Sequence, residues 1–86
     1  MNMQNGKPRN QEIRLLIMRY MISFATEQGK QPSVREIGEA AGLQSTSTTA
    51  GYLRRMVNEG LLEQTSKTNR NYFVTRNAAE LLRSAG

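Results

Sequence analysis

The sequence predicts a small, mainly α domain with one β-hairpin: a three-helix core, a two-stranded wing and a short C-terminal helix. This is the layout of a winged helix-turn-helix. Three observations predict it. Residues 31–62 read QPSVREIGEAAGLQSTSTTAGYLRRMVNEGLL, two capped helical stretches joined by a glycine turn. An amphipathic run of helical period precedes them, and two short β-rich runs around a polar basic turn follow. The 86 residues hold one small core and leave no room for a second folded unit.

The elements follow in order. Residues 1–9 are polar and read as a flexible arm, with Lys7 and Arg9 as its basic residues. Residues 10–28 read as the first helix. Ile13, Leu16, Ile17, Tyr20, Met21 and Phe24 recur at one-face helical spacing, and Gly29 ends the run. Leu15, Met18 and Ile22 form a second, offset apolar stripe, either a wide core contact or a self-association face. Ser33 followed by Glu36 is a capping box that starts a helix over residues 34–41, with Ile37, Ala40 and Ala41 inward. Gly42 supplies the left-handed turn after it. Ser45 or Ser47 caps the third helix, which runs to about residue 59 and stops at Gly60, with Thr49, Tyr52, Leu53 and Met56 facing the core. Residues 61–65 and 72–75 read as strands joined by SKTNRN. Residues 77–83 read as a last short helix, capped by Thr75 or Asn77.

Composition narrows the function. Twelve Lys and Arg against seven Asp and Glu give a net charge of +5, which favours a polyanionic partner, nucleic acid first and an acidic membrane surface second. There is no cysteine and no histidine, so disulfides, the usual zinc sites and histidine-based catalysis are excluded. No paired acids at catalytic spacing and no glycine-rich phosphate loop occur, so an enzyme and a cofactor are not expected. No apolar run approaches a signal core or a membrane span, and a cytoplasmic setting on the nucleoid is the expectation.

The third helix carries the chemistry. It opens with Ser45-Thr46-Ser47-Thr48-Thr49-Ala50-Gly51, a stretch with no long and no acidic side chain. A helix entering the major groove, about 12 Å wide, must keep its leading turns slim, and hydroxyls and methyls can read base edges there. Glycine inside a helix costs roughly 0.8–1 kcal/mol relative to alanine, and a close backbone approach at Gly51 would justify that cost. Arg54 and Arg55 lie one turn later, where a helix meets the sugar–phosphate rail. Arg35 and Thr46 join them as phosphate contacts, and Lys67 and Arg70 do so from the hairpin.

The run Pro32-Ser33-Val34-Arg35-Glu36-Ile37-Gly38-Glu39-Ala40-Ala41-Gly42-Leu43, followed by Ser45, Ser47, Thr48, Gly51, Leu53 and Gly60-Leu61-Leu62, resembles the N-terminal DNA-binding domain of the LexA family of bacterial SOS repressors. The likeness is strongest to Gram-positive members and extends from about Ile13 to Val74. It implies a repressor that binds a palindromic operator in double-stranded DNA as a dimer. It also implies base reading by Ser45, Ser47, Thr48, Ala50 and Gly51. The family tends to carry a longer or polar side chain where Ala50 sits, which implies a different operator.

Members of the family continue into a second domain that dimerises the protein and cleaves its own linker with a serine–lysine dyad. The sequence here ends at Gly86, and Lys7, Lys30 and Lys67 lie in no context resembling that dyad. Self-cleavage is therefore not expected. Leu15, Met18, Ile22, Leu81 and Leu82 become the expected replacement dimer interface. The alternative is a winged helix that binds another regulator or a replication protein. Such a version should expose apolar or acidic residues on the third helix, and this one shows Ser, Thr, Gly and Arg.

Overall fold

In the computed structural model, which describes residues 9–65 and 70–85, the elements follow as α1 (Arg9–Gln28), α2 (Val34–Ala41), α3 (Thr46–Asn58), β1 (Leu62–Gln64), β2 (Tyr72–Val74) and α4 (Arg76–Ala85). The expected arm falls on residues outside those described, except that Arg9 already begins α1. The helix-plus-hairpin architecture is the one the sequence predicts.

α2 starts where the capping box places it. The Ser33 hydroxyl accepts from the Glu36 amide at 3.1 Å, and the Glu36 carboxylate accepts from the Ser33 amide at 2.8 Å. The helix ends at Gly42, whose φ of 75° lets the chain turn at once toward α3. The Leu43 amide closes that turn on the Gly38 carbonyl at 2.8 Å. Of the two possible caps of α3 it is Ser45, which accepts from the Thr48 amide at 3.0 Å.

β1 and β2 pair antiparallel, with Leu62 opposite Val74 and Gln64 opposite Tyr72. Strands this short are marginal alone. Leu62 and Tyr72 point into the core and hold the hairpin against α3 and α1. Thr75 ties its base down: its hydroxyl donates to the Gly60 carbonyl at 2.9 Å and accepts from the Ala78 amide at 3.1 Å, capping α4.

Ile17, Met18 and Met21 of α1, Ile37 of α2, Tyr52, Leu53 and Met56 of α3, Leu62, Tyr72 and Ala78 form one core. Three sequence expectations change here. Leu16 is 44% exposed, because α4 packs against α1 and rotates its buried face toward the offset stripe. For the same reason Met18 of that stripe is 5% exposed: there the stripe is the wide core contact rather than the self-association face, and Met18 has no surface to offer a second chain. Ala40 is exposed, because α2 meets α3 at Gly38; Ile37 is inward as expected, and Gly38 is buried in place of Ala40.

Candidate nucleic-acid interface

α3 presents its leading turns outward. Thr46, Ser47 and Thr48 are exposed, as is the capping Ser45, and Ala50 and Gly51 are half-buried. On the opposite side Thr49, Tyr52, Leu53 and Met56 anchor the helix in the core. No acidic residue occupies the first turn. This end of the helix, where the positive end of the helix dipole lies, is therefore set among hydroxyl side chains with no carboxylate of its own first turn.

The hydroxyls are not equivalent. Ser45 accepts from the Thr48 amide and donates to the Thr48 hydroxyl at 3.1 Å, so it is committed to the cap. Thr48 keeps its own hydroxyl hydrogen to donate outward. Thr49 is 1% exposed, and its hydroxyl donates to the Ser45 carbonyl at 3.2 Å. Replacing Ser45 with alanine removes the cap and is expected to lower unfolding stability by about 1 kcal/mol. Urea denaturation measures this; a midpoint equal to wild type would show that the cap contributes nothing.

The glycines on α2 and α3 differ in kind. A Cβ on Gly38 would lie 2.5 Å from the Thr49 hydroxyl oxygen, so glycine there is what allows α2 and α3 to cross. A Cβ on Gly51 would meet nothing within 4 Å, and its φ is not positive. Nothing within the described protein asks for glycine at Gly51.

Arg54 and Arg55 are both exposed on α3, one turn beyond Gly51. The Arg55 guanidinium lies 5.5 Å from the centre of the Tyr52 ring, a stacking that restrains it. Arg35 is exposed on α2, on the neighbouring helix. Lys67, like Lys7, lies outside the described residues.

Arg70 departs from the expectation. Rather than reaching outward, its guanidinium turns back onto the start of α2. It donates to the Glu36 carboxylate at 2.8 Å and 3.5 Å and to the Gln31 carbonyl at 3.0 Å, and it lies 6.0 Å from the Phe24 ring centre. The Ser33 amide, and then Arg70, hold the Glu36 carboxyl below its ordinary pKa. Sequence reading took Glu36 as a cap and Arg70 as a phosphate ligand, and no local signal joins two residues 34 positions apart. A second ion pair of this kind, Arg14 to Glu59 at 2.9 Å, ties α1 to the end of α3.

The family model for the LexA DNA binding domain matches residues 3–71. The chain belongs to the LexA DNA-binding-domain family. It is 39% identical over 69 residues to the LexA repressor of Oenococcus oeni, an alignment covering 80% of this chain and 32% of that protein. It is 38% identical over 66 residues to the LexA repressor of Ligilactobacillus salivarius, covering 77% and 32%. Against the LexA repressor of Bacillus subtilis it is 45% identical over 51 residues, covering 59% and 25%. The chain thus spans about a third of the length, or less, of the curated relatives it matches. The LexA-family match takes in α1, α2, α3 and β1 and ends just before β2.

Proposed function

We propose that this chain binds double-stranded DNA in a sequence-specific way and represses transcription. α3 lies in the major groove, and Ser47, Thr48, Ala50 and Gly51 face base edges. Ser45 sits at the groove edge as the cap. Arg35, Thr46, Arg54 and Arg55 take the flanking phosphates, and the hairpin with Lys67 lies along the adjoining backbone. The observation that carries this reading is the exposed face of α3: slim, acid-free and followed at once by two arginines. A protein-binding winged helix would display apolar or acidic side chains on that face. The printed name shared by the relatives, LexA repressor, supports the same reading.

The target is a palindromic operator bound by two copies. One small domain reads one half-site weakly, and joining two half-sites raises affinity through effective concentration. With Met18 buried, the contact between copies falls to Leu15, Ile22, Leu81 and Leu82 along the seam of α1 and α4, where Leu81 is 61% exposed. Selection of bound duplexes from a random DNA pool tests the reading directly. A palindromic consensus is the expected result. A pool that stays random would remove sequence-specific binding, and an enriched single half-site would remove the dimer.

Gly51→Ala separates the DNA reading from a structural one. Open space around Gly51 means alanine should stabilise the helix by roughly 0.8–1 kcal/mol. If α3 approaches DNA closely at this residue, the same methyl group weakens operator binding. Thermal melting and a binding titration on one preparation give both signs. Greater stability with unchanged affinity would place Gly51 away from the duplex.

A further inference from the structure

We infer that Arg70 is a positioning residue for the hairpin: by gripping Glu36 and the Gln31 carbonyl, it fixes the wing at the angle from which it reaches DNA beside α3. The inference rests on the proposed contact between hairpin and DNA. It assigns Arg70 a role distinct from direct phosphate binding.

Among the described residues, little else holds the outer half of the hairpin to the helices. β1 and β2 are three residues each. Their base is secured by buried Leu62 and Tyr72 and by Thr75. Beyond the strands the ladder is extended by the Thr65 amide on the Asn71 carbonyl at 2.8 Å and by the Asn71 side chain on the Thr65 carbonyl at 3.0 Å. Those bonds join the two arms to each other and not to the helices. Arg70, next to Asn71, supplies such a link. Its guanidinium reaches the end of α1 at Phe24, the α1–α2 connector at Gln31 and the first turn of α2 at Glu36.

The partner is itself immobilised. One oxygen of Glu36 accepts from both the Ser33 amide and Arg70, so the carboxylate that caps α2 also anchors the hairpin. α2 is in turn locked against α3 by the close crossing at Gly38. The chain of contacts therefore runs from the hairpin through Arg70, Glu36 and α2 to the helix proposed to read DNA. The shape of the guanidinium matters here. A planar fork can meet a carboxylate, a carbonyl and an aromatic ring together, whereas a lysine ammonium is a point charge on a flexible stem. At about one-third exposure on both side chains, the pair is shielded enough to hold and open enough to form without deep desolvation.

Charge alone and positioning predict opposite signs for one substitution. Glu36→Gln keeps the capping box in its neutral form, since the glutamine carbonyl can also accept from the Ser33 amide. It also removes a negative charge near the DNA face, which by electrostatics should tighten binding. Positioning predicts weaker binding, roughly three- to tenfold, because the hairpin loses its anchor. Arg70→Lys keeps the charge and loses the fork, and should weaken binding to a similar extent. Both variants should bind with the shallower salt dependence of a chain whose residues 66–69 are replaced by Gly-Ser-Gly-Ser, and adding Arg70→Lys to that chain should cost nothing more.

The probe is the duplex enriched by the wild-type chain, titrated over a range of salt. Tighter binding by Glu36→Gln, or wild-type binding by Arg70→Lys, would overturn the inference and return Arg70 to the phosphate contacts. If the replaced tip binds with wild-type affinity and salt slope, the hairpin does not touch DNA, and the inference falls with that contact rather than by itself. Circular dichroism melts confirm that each variant is folded. Faster amide exchange at Thr65, whose amide donates to the Asn71 carbonyl, in Arg70→Lys, with α3 unchanged, is the expected structural counterpart.

Discussion

Gly38→Ala should destabilise the domain by about 1–2 kcal/mol, even though alanine is the better helix former. The added Cβ would lie 2.5 Å from the Thr49 hydroxyl oxygen and 3.5 Å from its Cβ, so either Thr49 rotates or the helices part. Rotation would break the bond from the Thr49 hydroxyl to the Ser45 carbonyl at a residue only 1% exposed, leaving a buried hydroxyl unpaired. Parting the helices would loosen the core to which α2 gives Ile37 and α3 gives Leu53. Either cost exceeds the roughly 0.8–1 kcal/mol that alanine gains over glycine within a helix. Urea denaturation of Gly38→Ala, Thr49→Ala and the double variant tests the cause as well as the size. The Gly38 substitution should cost much less once Thr49 is already alanine. Strict additivity would mean that the two residues do not press on each other. Because this crossing sets the angle of α3, a folded Gly38→Ala protein should also bind its operator less tightly.

That crossing marks where sequence reading stops. The Ser33–Glu36 box and the turn at Gly42 are each written within a few consecutive residues and stand as read, and of the two caps open to α3 the structure takes Ser45. The slim opening of α3 was legible for the same reason: a run of hydroxyl residues on one helix needs no partner to be recognised. Gly38 was read only as part of a familiar motif, because its neighbour Thr49 lies across a turn and on another helix. Leu16 and Ala40 were placed inward by a helical period that cannot tell where the buried face is centred. That centre is set by α4 on one helix and by the Gly38 contact on the other. The Arg70–Glu36 pair was hardest, since a basic residue in a polar turn looks the same whether it points at solvent or folds back. Caps and turns are set by chemistry within a few residues, whereas the burial of Leu16 and Ala40 and the Arg70–Glu36 pair are set by packing between elements.

Replacing both Arg54 and Arg55 with alanine should weaken binding to every duplex by roughly 100-fold at moderate salt and reduce the salt slope by about 2. Each arginine that meets a phosphate releases about one counterion, a contribution blind to base sequence. Both side chains are exposed on α3, and Arg55 is held over the Tyr52 ring, so it loses less freedom on binding than an unrestrained arginine. Arg55→Ala alone should therefore cost more than Arg54→Ala. Changes at Ser47 or Thr48 should behave differently, altering which base pair is preferred by about 1–3 kcal/mol while leaving the salt slope unchanged. Thr48 carries the extra condition that its hydroxyl is aligned by the bond from Ser45, so Thr48→Val should shift preference more sharply than Ser47→Ala. Binding titrations of the double variant and the four single variants on a panel of single-base operator mutants distinguish the two classes. If the arginine variants change sequence preference, or the hydroxyl variants flatten the salt slope, α3 does not enter the groove with residues 47–51 leading.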